Sequence, residues 1–196
     1  MAKLYYQGHG SFRLTSKDGR VMYIDPYAGD GYDLPADIIL VTHQHFDHNE
    51  IARCRQNPGC HVITNIEALA GGAHQSFSLD GITIEAVQAK NFMHDPKKCV
   101  GYIIGIDGVT LYAAGDTGRT EQMAGLAARE LDYALIPCDG FFTMGLGTAA
   151  ACAQMIAAKN NIPMHMKGGK LFDERRAKKW NAPNRLILRP GEEIAL

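Results

Sequence analysis

The 196-residue chain lacks several features that would assign it to a broad class of protein. Its five cysteines are scattered and odd in number, without a C-x-x-C pair, which argues against a disulfide framework and a cysteine zinc site. No window approaches the roughly 20 apolar residues of a membrane span, and the N-terminal stretch has no apolar signal segment. The formal charge of −1 provides no basic field for nucleic acid. We therefore expect a cytoplasmic protein with a small-molecule substrate as its partner, bound to neither a membrane nor a nucleic acid, and leave homo-oligomer formation open.

A nucleophilic serine is also missing, because no serine stands in a G-x-S-x-G context. Low-complexity segments and repeats of fixed period are absent as well. The hydrophobic share of 46% is ordinary for a globular protein, and the length suffices for a buried core. We expect residues 1–196 to form one domain.

One short stretch carries most of the chemistry. After an apolar run, residues 43–48 contain three histidines and an aspartate, namely His43, His45, Asp47 and His48. Imidazole and carboxylate groups are ligands suited to zinc, iron or manganese, and such spacings rarely arise without a metal. The alternative is a solvated polar loop, which the density of ligands disfavours.

The pattern of apolar runs and turns predicts an α/β fold. Both halves begin with hairpin-like strands, with turns at residues 17–19 and 107–108, and continue with strand–helix–strand units. Helices are predicted at residues 49–56, ended by Asn57-Pro58-Gly59, and at 120–129, 148–160 and 173–180. Two such halves favour a sheet-on-sheet sandwich with the helices outside.

The four residues of the cluster cannot all surround one tetrahedral ion from a single short loop. We expect His43 and His45 to serve one metal position, and Asp47 and His48 a neighbouring one about 3.5–4 Å away. Further ligands must then come from distant loops. Asp116 and His165, each after an apolar strand, are candidates, although alone Asp116 could be a helix N-cap and His165 a structural histidine.

Several motifs together resemble those of the metallo-β-lactamase superfamily. The match is closest to its small metal-dependent hydrolases related to the ascorbate-6-phosphate lactonases. The motifs are Gly8-His9-Gly10-Ser11-Phe12, Ile24-Asp25-Pro26, Thr42-His43-Gln44-His45-Phe46-Asp47-His48, Gly115-Asp116-Thr117, Phe142-Thr143-Met144 and Ile162-Pro163-Met164-His165.

The resemblance implies an αββα four-layer sandwich with its site at the shared edge of two sheets. It further implies one or two divalent ions, with zinc expected ahead of manganese or iron. A metal-bound hydroxide would attack the substrate, and Asp47 would be a ligand that also takes part in proton transfer.

The chain departs from this family at one ligand. A third histidine usually follows the strand that corresponds to residues 82–89, but the sequence there continues as Lys90-Asn91. His94 is the nearest candidate for the missing ligand. If His94 does not bind, Asp47, His48, Asp116 and His165 could hold one ion, and His43 and His45 would hold a second loosely or contact substrate.

Other residues near the expected cleft have candidate roles. Lys90 could receive an anionic group or be merely exposed, and His9 could contact substrate, support a ligand or stabilise a turn. Asp139 could orient a metal-ligating histidine. The aromatic pair Phe141-Phe142 could lie at the pocket rim or in the core.

We therefore predict a metal-dependent hydrolase of a small polar or anionic substrate with an ester, lactone, amide or phosphoester bond. A nuclease or phosphodiesterase of the same fold is the first alternative, although the near-zero charge gives little attraction for phosphates. A non-catalytic metal-binding protein of the same fold is the second.

Overall fold

A computed structural model describes residues 1–196, which form two six-stranded sheets. The first has the strand order β12-β1-β2-β3-β4-β5 and the second β11-β10-β9-β8-β7-β6. The strands are β1 Lys3–Gly8, β2 Ser11–Thr15, β3 Val21–Ile24, β4 Ala36–Leu40, β5 Gln56–Ile63, β6 Ser76–Leu79, β7 Ile82–Gln88, β8 Val100–Ile106, β9 Val109–Ala113, β10 Tyr133–Pro137, β11 Asn160–Met164 and β12 Glu193–Ala195.

The two sheets share one plan, as the sequence predicted. In the first, the antiparallel strands β1, β2 and β3 are followed by the parallel strands β3, β4 and β5. In the second, β6 to β9 are antiparallel and β9, β10 and β11 are parallel. The carboxyl ends of parallel strands meet at one edge of a sheet, where α/β proteins usually place their sites.

The helices are shorter than predicted. Three are α-helical, namely α1 Asn65–Ala68, α2 Leu146–Ile156 and α3 Glu174–Lys179, and 3₁₀ helices cover Ile51–Arg53, Ala70–Gly72 and Glu121–Arg129. Asp173 begins α3, because its side chain accepts a hydrogen bond from the N–H of Arg176. With α2 packed on β10, the predicted αββα sandwich is confirmed, although its helical layers are thin.

The prediction of a helix at residues 49–56 is wrong beyond one 3₁₀ turn. Asn57-Pro58-Gly59, predicted to end that helix, instead lies within β5. This strand is at the edge of its sheet, where proline is tolerated because no neighbour needs its missing N–H. The edge strand β6 was not predicted.

The main core includes 43 buried residues, from the strands of both sheets and from α2 and the 3₁₀ helix Glu121–Arg129. A smaller cluster of six, including Tyr23, Ile39 and Val41, covers the other face of the first sheet. Partly buried side chains from the loop after β3 and the 3₁₀ turn, among them Tyr32, Leu34 and Ile51, cover this second cluster. No helix in the structure has the length and apolar character needed to cross a membrane.

A buried tyrosine links the two sheets beside the strand end that leads to His43. Tyr102 on β8 donates its hydroxyl to the carbonyl of Val41 at 3.0 Å, across the interior from its own sheet. An unpaired buried carbonyl costs about 1–3 kcal/mol. The bond therefore stabilises both the core and the start of the His43 loop.

We expect Tyr102→Phe to lower the free energy of unfolding by about 1–3 kcal/mol, because the Val41 carbonyl loses its partner. Chemical denaturation with the metal-free protein measures this change. Tyr112→Phe is a matched control, since Tyr112 is equally buried but its hydroxyl makes no hydrogen bond within the protein. Equal effects of the two substitutions would contradict this role for Tyr102.

Candidate metal centre

The candidate site lies where strands of both sheets end at the same edge. His43 follows β4, Asp116 follows β9, Asp139 follows β10 and His165 follows β11. Two backbone hydrogen bonds join the sheets here: Val100 N–H donates to the Thr42 carbonyl at 3.0 Å, and His165 N–H to the His9 carbonyl at 2.8 Å. These bonds fix the spacing of ligands that come from different sheets.

The carboxylate of Asp116 lies at the centre of the site. Its oxygens are 3.4 Å from Nε2 of both His48 and His165, 3.5 Å from Nε2 of His94 and 4.0 Å from Nε2 of His43. All five residues are buried. Oδ2 faces His43, His94 and His165, and Oδ1 faces His48, so the carboxylate contacts imidazoles that the sequence assigned to both metal positions.

The first group consists of His43, His45 and His94. Nε2 of His43 lies 3.0 Å from Nδ1 of His45, which lies 3.3 Å from Nε2 of His94. Tetrahedral zinc with Zn–N bonds of 2.0–2.1 Å would separate its ligand nitrogens by about 3.3–3.4 Å. The three nitrogens are therefore spaced as ligands of one ion.

Asn91 turns the His94 side chain towards this group. Its Oδ1 lies 2.9 Å from His94 Nδ1 and also accepts the backbone N–H of His94 at 3.0 Å. Because Nδ1 faces this acceptor, Nδ1 carries the proton and Nε2 presents its lone pair to the site. The residue three positions before His94 thus selects its tautomer.

The second group consists of Asp47, His48 and His165, with His9 in contact. Asp47 Oδ2 is 3.9 Å from His165 Nε2 and 3.1 Å from His9 Nε2. The ligand atoms of these four residues all lie within 4.8 Å of one another. The structure therefore brings two residues of the H-x-H-x-D-H stretch into each group, and His43, His48 and Asp116 also lie close enough to form a third.

Two carboxylates orient the histidines of the second group by contacting Nδ1, the ring nitrogen that faces away from the centre. Asp25 Oδ2 lies 2.9 Å from His48 Nδ1, and the same side chain accepts the N–H and hydroxyl of Thr42, both at 2.7 Å. Asp139 Oδ2 lies 2.9 Å from His165 Nδ1. Both rings therefore present Nε2 to Asp116. The sequence predicted this orienting role for Asp139 but not for Asp25.

The backbone near the site adopts unusual conformations. His9, Asp25 and His165 have φ values of 58°, 45° and 42°, in the left-handed region that costs non-glycine residues energy. Two neighbouring glycines allow close approach. A Cβ on Gly10 would lie 2.9 Å from the His48 ring, and one on Gly115 would lie 2.8 Å from the Val100 carbonyl.

The electrostatics of the site suit a cation. Burial, followed by the nearby His48 and His94, lowers the pKa of His43, which leaves a neutral nitrogen donor. Burial would raise the pKa of Asp47, but His165 and His9 hold it well below its usual value. Burial opposes a charge on His165, yet Asp116 and Asp139 raise its pKa to about 10.

The donor atoms fit a metal. Nε2 of His48, Nε2 of His165 and Oδ1 of Asp116 are buried, face one another and have no hydrogen-bond partner in the protein. Such groups are costly to bury unless something else satisfies them. Imidazole nitrogens and ionised carboxylates match the preferences of zinc, iron and manganese, and a metal that binds His165 displaces its proton.

One predicted residue, Lys90, lies apart from this centre. Lys90 does not line the site, because its Nζ is 2.8 Å from Glu121 Oε2 at the surface. Asn91, which supports His94, had no predicted role. The sequence contained one indication of this role, because Asn91 directly follows Lys90 at the place where the family's third histidine was expected.

Comparison with known proteins agrees with this geometry. The family model described as a beta-lactamase superfamily domain matches residues 3–165. The chain belongs to this superfamily. A metal-dependent hydrolase of Myxococcus xanthus is 35% identical over 189 residues, covering 81% of this chain and 68% of the relative.

Solved structures extend the likeness to three dimensions. A protein of Parabacteroides distasonis described as a metal-dependent hydrolase has 28% identity and a TM-score of 0.76, covering 96% of this chain and 93% of its own. The metallo-β-lactamase fold protein YhfI of Bacillus subtilis has a TM-score of 0.72 at 13% identity, with full coverage of both chains, which shows the shared fold. The predicted family and enzyme class, a metal-dependent hydrolase, are confirmed.

We expect His94→Ala to weaken binding of one metal equivalent by at least about tenfold, because the three-histidine group loses a donor. Titration of the metal-free protein with Zn²⁺, followed by calorimetry, measures both equivalents. His74→Ala, a substitution of a histidine distant from the centre, is the control. Unchanged affinity in His94→Ala would show that His94 is not a ligand.

Proposed function

We propose that this protein hydrolyses an ester, lactone, amide or phosphoester bond of a small molecule at the candidate metal centre. The observation that supports this most directly is the position of Asp116 between two groups of donors. In this proposal His43, His45 and His94 hold one divalent ion, Asp47, His48 and His165 hold a second, and Asp116 contacts both. Zinc, manganese and iron suit this donor set.

A divalent cation bound there supplies a Lewis acid and lowers the pKa of a water molecule from 15.7 towards about 7. The protein then needs no serine or cysteine nucleophile. Its own residues place the donors, exclude bulk water from the buried side of the site and move protons. Asp116 and the buried imidazoles fulfil the first two tasks because backbone and side-chain bonds hold them rigidly.

Asp47 is the proton-transfer residue in this proposal. It is half-buried and lines the cavity above the centre, so it can reach an attacking water as well as a leaving group. His9 supports it from behind. The two ring nitrogens of His9 face acceptors, the Lys170 carbonyl at 3.2 Å and Asp47 Oδ2 at 3.1 Å, so a proton must lie between His9 and Asp47 for both contacts to be hydrogen bonds.

The expectation of an anionic substrate has little support in the described contacts. Lys90, the residue predicted to receive an anionic group, is paired with Glu121 and does not line the cavity. The nearest cationic side chain among the cavity linings is Lys98, which lines an adjoining cavity that contains His43, His45 and His94. The part of the substrate beyond the bond that is cleaved is therefore expected to contact the other residues that line the cavity.

Removal of metal is expected to abolish hydrolysis. Dialysis against a chelator should lower turnover of a panel of esters, lactones, amides and phosphoesters at least about 100-fold, since the Lewis acid and the acidified water are both lost. Addition of Zn²⁺, Mn²⁺ or Fe²⁺ should restore it. Activity that survives complete metal removal would contradict the proposal, and cleavage of phosphodiesters alone would favour the nuclease alternative.

Asp47→Asn is expected to lower kcat by about 10²–10⁴-fold, because an amide cannot accept the proton. Steady-state kinetics together with metal analysis measure the change and show how much of it reflects metal loss. Asp30→Asn, at an exposed position with no side-chain hydrogen bond, should leave kcat unchanged. A kcat near that of the unmodified protein, with full metal content, would assign proton transfer to another group.

A further inference from the structure

A cavity of about 550 Å³ opens directly above the candidate metal centre. Its floor contains His45, Asp47, His94, Asp116 and His165. This volume is in the range of cavities that hold small-molecule ligands. A substrate that reaches Asp47 or Asp116 through this cavity therefore passes the residues of its wall.

The wall consists mainly of apolar side chains. Phe46, Met93 and Phe142 line it, and they are 75%, 47% and 38% exposed. Large apolar side chains are rarely left in water as a contiguous group without a binding role. Of the seven exposed large apolar residues in the chain, five belong to the three short segments that carry this wall, namely Phe46, Phe92, Met93, Phe141 and Phe142.

Hydrogen bonds hold the segments of Met93 and Phe142 in place. Asn91 Nδ2 donates to the Phe142 carbonyl at 2.9 Å and so links the two segments. Asp139 Oδ1 accepts the N–H groups of Phe142 at 2.8 Å and Thr143 at 3.1 Å. Asn91 and Asp139 are also the residues that contact His94 and His165, so the wall and the donors are positioned together.

A glycine leaves room for the Phe142 ring. Gly168 also lines the cavity, and a Cβ added there would lie 3.1 Å from Cε2 of Phe142. A larger residue would have to displace the ring. The aromatic surface is thus a formed part of the cavity and its shape is set by neighbours from two loops.

The wall offers no cation to a strongly anionic group. No lysine or arginine lines the cavity, so an anion could pair only with the ions bound to the donors on its floor. A carboxylate or phosphate beside Phe46 and Phe142 would lose hydration without gaining a partner. An uncharged apolar group loses nothing there and removes apolar surface from water.

On the basis of the proposed hydrolytic function, we propose that the substrate carries an uncharged apolar group, about the size of a phenyl ring, next to the bond that is cleaved. Phe46, Met93 and Phe142 are the residues that determine this specificity. The reacting bond faces the donors on the floor, and the apolar group lies against the wall.

The test uses binding as well as catalysis, so that the two proposals can fail separately. Three hydroxamates share the same metal-binding group: acetohydroxamate, phenylacetohydroxamate and the monohydroxamate of succinate, which carries a carboxylate. Their affinities for the zinc-loaded protein are measured by calorimetry. We expect the phenyl compound to bind at least about tenfold more tightly than acetohydroxamate, and the carboxylate compound to bind no more tightly.

Substitutions then show which residues cause the tighter binding of the phenyl compound. In Phe142→Ala and in Phe46→Ala/Phe142→Ala, the advantage of the phenyl compound should fall to threefold or less, while the affinity for acetohydroxamate changes little. Phe92→Ala is the matched control, because Phe92 is exposed on the Met93 segment but does not line the cavity. It should keep the full advantage.

Each outcome decides the proposal. No advantage for the phenyl compound, an advantage that persists in Phe46→Ala/Phe142→Ala, or tightest binding of the carboxylate compound would overturn it. An advantage that depends on Phe142, found in a protein that cleaves none of the substrate panel, would support this inference and reject hydrolysis. Preferential cleavage of aryl over charged esters, lost in Phe142→Ala, would support both.

Discussion

Burial of one carboxylate among four imidazoles is the constraint on which this structure depends. Asp116 is almost inaccessible to water, and its oxygens lie within 4.0 Å of His43, His48, His94 and His165. So many polar groups can be buried together only if a cation or an extensive set of hydrogen bonds compensates for the lost hydration. Asp25, Asp139 and Asn91 occupy the outward nitrogens of three of these rings, which leaves the inward nitrogens to the centre.

The sandwich provides the rigid frame for this arrangement. The donors come from the ends of strands in both sheets, and hydrogen bonds between Thr42 and Val100 and between His9 and His165 join the sheets at that edge. The donor His165 and its neighbours His9 and Asp25 have left-handed backbone conformations, which cost energy and persist only where surrounding contacts hold them. The fold thus stabilises the site, while the buried charges destabilise the fold until a metal binds.

The candidate donors of the contiguous stretch could be recognised because ligand chemistry and spacing are local properties of the sequence. The same holds for Asp116 and His165, which follow recognisable apolar strands. The position of His94 could not be settled in this way, since it depends on how Asn91 turns a loop towards the opposite sheet. The role of Asp25 and the strand at residues 56–63 depended on tertiary contacts and on the tolerance of an edge strand for proline, which local patterns do not report.

We expect His94 to complete a three-histidine metal position, although it stands on a loop after the usual place for this ligand. A crystal structure of the zinc-loaded protein, with anomalous scattering recorded on both sides of the zinc edge, would show whether it does. We expect a zinc peak about 2.0–2.1 Å from Nε2 of His43, Nδ1 of His45 and Nε2 of His94. A zinc ion bound by Asp47, His48, Asp116 and His165 alone, with the His94 ring turned away from it, would contradict the account.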